Sequence, residues 1–378
     1  MLLASISVSI MYIGITWYIL ISHNGEILYG LIILIGTVTG FALSNFIGKI
    51  IDKYDRKKLF VLLNIIISVS FLIIFLSLIK YIKLNVSVLF ILYMIISVYS
   101  IFYWNVITSI TQQIFSINEY KSINSKMEII GQASAAFSII GGLIIYSVNF
   151  LFIIIISSII FAVSAIIFRN VRMSKLEKYN RDYSGFSSFK YLKNNKYLFI
   201  LLLSMYTPFI AIIVGNYTKP SFIVNDLNGT PIIIGAMESI YAISAVITSL
   251  LIPKINEKNE FVLIIISMVV FSAGTIAMGF FKIVILFLSF DAIQGYGNPA
   301  IRIIRKTIMM KTIPKNIIGR IYGSLETLSY MVRIIFLTLY ILIIRYTGAG
   351  ILIEIQGVFV LLSVLAIVYS FKKVITRS

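Results

Sequence analysis

From Leu59 to Ile79 the chain runs 21 residues without an Asp, Glu, Lys or Arg. Leu151 to Phe168 repeats the pattern, and similar runs recur along the sequence. Each is long enough to cross a hydrocarbon core of about 30 Å as a helix. Helix is the form expected, because the alternating ten-residue segments of a membrane barrel are absent and every backbone polar group must be satisfied inside the lipid. With 60% hydrophobic residues, 12% charged and a mean hydropathy of +1.02, a soluble domain could not hide its apolar surface. The chain therefore reads as an all-α membrane protein whose first partner is the lipid bilayer. Its net charge of +18 belongs to topology signals, and no nucleic acid is expected to bind.

Twelve spans are expected, at residues 2–21, 27–47, 59–79, 86–110, 127–147, 151–168, 197–217, 232–252, 261–281, 283–304, 321–344 and 351–371. The first has no basic segment before it and continues at spanning length, so it is read as a span and not as a signal peptide. Residues 169–196 form the longest polar stretch, with eight cations and two acids, and divide the spans six and six. The expected organisation is an N-terminal six-helix bundle over 1–168, a basic cytoplasmic linker over 169–196 and a C-terminal bundle over 197–378. With this phase 26 of the 32 Lys and Arg fall on one side. That asymmetry predicts a multi-pass protein of the cell (cytoplasmic) membrane with both termini cytoplasmic. Lys219 to Pro231 is read as an outer loop. The loops after spans 4 and 10 echo each other, with Ile117-Asn-Glu-Tyr preceding Glu128 and Ile313-Pro-Lys-Asn preceding Glu326. Two six-helix repeats around a central site are a transporter architecture.

Between spans 2 and 3 lies Gly48-Lys-Ile-Ile-Asp52-Lys-Tyr-Asp-Arg56-Lys-Lys58, with five cations and two acids. It resembles the G-x-x-x-D-x-x-G-R-K/R-K/R loop of the major facilitator superfamily. Gly48, Asp52, Arg56, Lys57 and Lys58 match, and Asp55 replaces the second glycine. The variant D-x-Y-D-R-K-K is similar to the macrolide-efflux and enterobactin-exporter type. Ile313-Pro through Gly319-Arg320 to Gly323 also resembles a stretch of that group. The resemblance implies a major facilitator fold of twelve transmembrane helices and a gating latch. In that latch Asp52 meets the N-terminal end of span 11, where free N–H groups favour a carboxylate, and Gly48 permits close approach. The bland reading of the same cations is positive-inside anchoring. One departure is in span 5, where Phe137-Ser138 stand in place of the Gly-Pro of the exporter motif ahead of Gly141-Gly142.

No nucleophile–base set or phosphate loop is present, and one histidine with no cysteine offers no metal site. No enzyme activity, catalytic residue, cofactor or metal is expected. Acids inside spans are functional candidates by default, because each costs free energy in lipid. Glu238 in span 8 and Asp291 in span 10 are the proton- or substrate-linked candidates, with a structural acid bonded to a neighbouring helix as the other reading. Glu326 and Arg333 are seven residues apart on one face of span 11, where a counter-charge and a substrate contact are equally open. Glu128 and Glu354 are read as interfacial.

The resemblance implies that spans 1, 4, 7 and 10 line the path. Their polar and aromatic residues include Tyr12, Thr16, Trp17, Tyr103, Trp104, Asn105, Tyr206, Asn216, Gln294, Tyr296 and Asn298. They suit a pocket for an organic solute, while Trp17 and Trp104 also suit an interfacial aromatic belt. Gly295-Tyr-Gly-Asn-Pro299 is expected to loosen or break span 10 beside Asp291. Together these features predict a monomeric secondary transporter that exports a small amphipathic organic compound against protons by alternating access. The alternatives are metabolite uptake or facilitated movement, and a non-transporting membrane sensor or immunity protein.

Overall fold

The computed structural model describes residues 2–114, 120–171, 191–252, 255, 260–313 and 318–375. Among them every element is helical: α1 (Leu2–Leu20), α2 (Gly25–Lys53), α3 (Arg56–Lys80), α4 (Val86–Ile114), α5 (Tyr120–Ala136), α6 (Ser138–Ser147), α7 (Phe150–Arg169), α8 (Lys196–Ser204), α9 (Thr207–Asn225), α10 (Pro231–Leu251), α11 (Glu260–Phe280), α12 (Val284–Thr312) and α13 (Ile318–Ile375). Among the described residues ten stretches are long and apolar enough to cross a membrane, and one of these, Ile321–Phe371, has 51 residues. A single helix of that length would measure about 75 Å, far beyond one bilayer. It is folded back at Gly348, whose φ of 75° and ψ of 165° are open to glycine and strained for any other residue. Counting both arms, joining α5 with α6 and α8 with α9, and adding the more polar α12 gives the twelve spans.

The chain forms two compact units. The first holds Met1–Lys178 with Asn228–Ala242; the second holds Tyr179–Leu227 with Ile243–Ser378. In the first, α3 packs on α7 and α2 on α4, while α1 touches α4, α5, α6 and α7. Hydroxyls join these helices where apolar side chains alone give no directional preference. Ser68 and Ser158 each donate to the other's backbone carbonyl at 2.8 Å, locking α3 to α7. The Tyr99 hydroxyl donates to Asn64 Oδ1 at 3.1 Å. The N-terminal part of α10, as far as Ala242, belongs to this unit, and glycines let it approach α6. A Cβ on Gly142 would lie 2.4 Å from the Pro231 carbonyl oxygen, and one on Gly235 would lie 2.7 Å from that of Ser138. Ser239 Oγ closes the contact, donating to Ala136 O at 2.8 Å and accepting from Ile139 N at 3.1 Å.

In the second unit α11 packs on α12 and α13, and α9 and α8 pack on α13. Ser272 Oγ donates to Gly357 O at 2.6 Å, and Gln356 Nε2 donates to Thr218 Oγ1 at 2.9 Å. Three details differ from the sequence expectation. Span 7 extends to Asn225, so Lys219 lies within α9 and not in an outer loop. Span 10 continues through Thr312, which places Arg305 on the same helix as Arg302. The Gly295–Pro299 stretch does not break α12; Gly297 instead lets it pack closely, since a Cβ there would meet Phe271 Cβ at 2.7 Å. The breaks fall elsewhere, at Phe137 between α5 and α6 and at Met205–Tyr206 between α8 and α9.

Candidate functional site

Two groups of buried charges lie in the second unit. The first is built around Asp291 of α12, which is 0% exposed. Lys219 Nζ of α9 donates to its Oδ1 at 2.7 Å, and Lys219 itself is only 4% exposed. Pro220 follows Lys219 inside the helix, and a proline there removes one backbone bond and favours a bend. Gln294, one turn from Asp291, accepts from Lys219 Nζ at 3.4 Å and donates to Thr275 Oγ1 at 2.9 Å. Asp291 Oδ2 has no hydrogen-bond partner. A buried ion pair rarely adds stability over an apolar pair of equal size, because desolvation offsets the attraction. A buried ion pair inside an apolar span is therefore a candidate for use as well as for folding. The pair can take a proton or meet a solute charge, since either event separates two charges that otherwise hold α9 to α12.

The second group begins at the break between α8 and α9. Tyr206, 0% exposed, carries the Arg305 guanidinium over its ring at 3.4 Å, and Arg305 Nη1 donates to Met205 O at 3.2 Å. Arg333 of α13 lies nearby, 4% exposed. Its Nη2 donates to Glu326 Oε1 and to Ser329 Oγ, both at 2.9 Å, so the expected shared face is real. Its guanidinium also sits 4.2 Å from the Tyr330 ring centroid and 5.0 Å from that of Phe209. The sequence reading missed Lys219, placed in an outer loop, and Arg305, just past the expected end of span 10.

The remaining candidates scatter. Glu238, half-buried, sits in the part of α10 that belongs to the first unit, within electrostatic reach of Tyr29. Thr16 shares a hydrogen bond of 2.9 Å with the Tyr29 hydroxyl. Tyr12 meets Tyr93 edge-on at 5.6 Å between centroids, and Trp17 is half-buried. Tyr103, Trp104, Ser5 and Ser134 border a cavity of about 110 Å³ in the first unit, too small for a drug-sized solute. Asn105 is exposed and donates to Ile101 O at 2.7 Å, satisfying its own helix. Gln294 and Asn298 are buried, Tyr296 is half-buried and Asn216 is exposed. Glu354 is half-buried.

In the charged turn, Gly48 and Asp52 fall within α2, but the placement of their side chains lies outside the described residues, as does that of Glu128. Asp55 caps α3, accepting from Lys58 N at 2.8 Å. That use explains why an acid can stand at the position where the resembling loop has glycine. Arg56 Nη1 donates to Ser109 O of α4 at 2.6 Å. Lys57 and Lys58 border a surface groove of about 860 Å³ with Tyr54, Leu62 and Arg169. Among the described residues no three His, Cys, Asp or Glu side chains gather to hold a metal.

Comparison with known proteins agrees with this architecture. The family model described as Major Facilitator Superfamily matches residues 1–337. No curated protein sequence matches the chain. Among solved structures, a mutant of the nucleoside transporter NupG superposes with a TM-score of 0.72 at 13% identity, covering 98% of this chain and 99% of that one. A bacterial homologue of the iron transporter ferroportin, in an inward-facing state, superposes with a TM-score of 0.73 at 16% identity, covering 97% and 96%. At these identities the likeness concerns the fold.

Proposed function

Because the chain belongs to the major facilitator superfamily, a family of membrane transporters and not of enzymes, we propose that it is a secondary active transporter of a small organic solute, coupled to protons through Asp291. The observation that carries this reading is the buried Lys219–Asp291 pair, 2.7 Å apart and shielded from solvent. A proton on Asp291 removes the carboxylate charge and releases Lys219 from it. The two protonation states then hold α9 and α12 differently, which is the bistable element that alternating access needs. Residues 1–168 and 197–378 serve as the two moving bundles and 169–196 as the cytoplasmic linker. The charge asymmetry supports cytoplasmic termini in a cell membrane. Glu238 is a second acid available to the same cycle.

Export is the preferred direction, supported by the likeness of the Gly48–Lys58 turn to the macrolide-efflux and enterobactin-exporter type. The Phe137 break, in place of the exporter motif of span 5, favours the uptake or facilitator alternative. The nucleoside and iron cargoes named for the two structural neighbours differ too much to be carried over. The test is accumulation of a panel of organic cations, macrolides and aromatic acids in cells carrying the wild type or Asp291→Asn, with and without a protonophore. Wild type is expected to lower accumulation of at least one compound, and the protonophore to remove that effect. Equal accumulation with and without the protein across the panel overturns the export reading. Gradient-driven movement by Asp291→Asn overturns Asp291 as the coupling acid.

A further inference from the structure

Arg305 is 2% exposed and forms no ion pair among the described residues. Its Nη1 is engaged by the Met205 carbonyl and its flat face by the Tyr206 ring. Its Nε has no hydrogen-bond partner, and neither does the buried hydroxyl of Tyr206. Nε lies on the edge with which a guanidinium grips a carboxylate through two parallel bonds. Two buried donors left without acceptors in the same place are costly, at about 1–3 kcal/mol each for neutral groups and more for charged ones. Native proteins retain such groups where something else supplies the acceptor.

Among the described residues the electrostatic surroundings are mainly positive. Arg302 lies within reach of Arg305, and Arg333 within reach of Tyr206. Among the described residues, Glu326 is the carboxylate in reach of both Arg305 and Tyr206, and it is bound by Arg333. These charged groups, among the described residues, are three guanidinium groups and one acid. Aromatic surface accompanies them, from Tyr206, Phe209 and Tyr330. The side chain of Glu326 is 28% exposed and Tyr322 is 39% exposed, so the group is not sealed on every side.

We propose that Arg305 and Tyr206 form the recognition site for the anionic group of the transported solute, and that the solute is an aromatic or similarly planar organic acid. The carboxylate takes the Nε edge of Arg305 and accepts from the Tyr206 hydroxyl. Arg302 adds long-range attraction, and the ring lies against the neighbouring aromatic side chains. Glu326 holds Arg333 in place and keeps it from competing for the carboxylate. The solute thus replaces acceptors that the protein lacks. This substrate class rests on the transporter reading, but it assigns solute recognition to a different place from Asp291, about 14 residues along α12.

The test uses the purified full-length protein in nanodiscs of phosphatidylcholine, with equilibrium dialysis of radiolabelled salicylate and benzoate against their neutral amides. The acids are expected to bind more tightly than the amides, with affinity falling as salt rises. Arg305→Gln is expected to weaken acid binding about tenfold or more and to leave amide binding unchanged. Arg305→Lys, which keeps the charge, is expected to recover part of the affinity, which separates recognition from a folding role. Equal binding of acid and amide, unchanged acid binding by Arg305→Gln, or no binding of either acid overturns the proposal. A further arm includes phosphatidylglycerol. If that lipid abolishes salicylate binding, the site holds an anionic headgroup and the solute proposal fails. Acid binding without gradient-driven transport would leave this site standing while removing the coupled-transporter reading. Gradient-driven transport of neutral compounds with no acid binding would do the reverse.

Discussion

Lys219 is the residue whose meaning changed most between sequence and structure. As a loop cation it would be a weak topology signal. As a buried ammonium 2.7 Å from Asp291 it is half of a pair whose members cannot be removed singly without stranding the other. Lys219→Met is expected to lower thermal stability by about 3–5 kcal/mol, because an uncompensated carboxylate remains. Replacing both, with Lys219→Met and Asp291→Leu, is expected to recover most of that loss while abolishing coupled transport. A scan of thermal unfolding over the four proteins of the cycle measures the coupling between the sites. Asp291 and the Glu326–Arg333 pair were legible in the sequence, because ionised groups inside apolar runs stand out. Lys219 and Arg305 were not, because each lies within a turn or two of a polar segment. A cation near a span end looks the same whether it snorkels to the interface or turns inward. The available signal was spacing: Arg305 follows Asp291 by 14 residues, nearly four whole turns, which brings both to one side of α12.

At the scale of elements, hydropathy located the spans but misjudged their ends and breaks. α9 and α12 extend past the expected limits of spans 7 and 10, and the added lengths carry the buried Lys219 and Arg305. Gly and Pro do not break span 10, where Gly297 packs so closely that a Cβ would meet Phe271 Cβ at 2.7 Å. The charged turn shows the opposite case, in which a departure from a motif acquires a local purpose. Asp55 begins α3 by accepting from Lys58 N, so Asp55→Ala is expected to cost about 1 kcal/mol. Asp55→Asn should retain most of that stability. Hydrogen exchange at the first turn of α3 reports the difference, with faster exchange expected in the alanine variant alone.

For the whole molecule, the absence of cysteine makes sidedness directly measurable. A membrane-impermeant maleimide is expected to label Asn85→Cys in intact cells and Asn195→Cys only after the membrane is opened. The reverse pattern would invert the topology. The two charge groups also share a geometry that neither has alone. Tyr206 and Lys219 are 13 residues apart, at the start of α9 and within it, and their partners Arg305 and Asp291 are 14 apart on α12. Two helices of almost equal arm, each about 20 Å, are therefore joined like the rails of a ladder by two rungs. On the proposed cycle, a shear that opens one rung loads the other. If the solute rearranges the Arg305 rung as proposed and shifts the proton affinity of Asp291, a proton on Asp291 shifts solute affinity in equal measure, since linkage between two sites runs both ways.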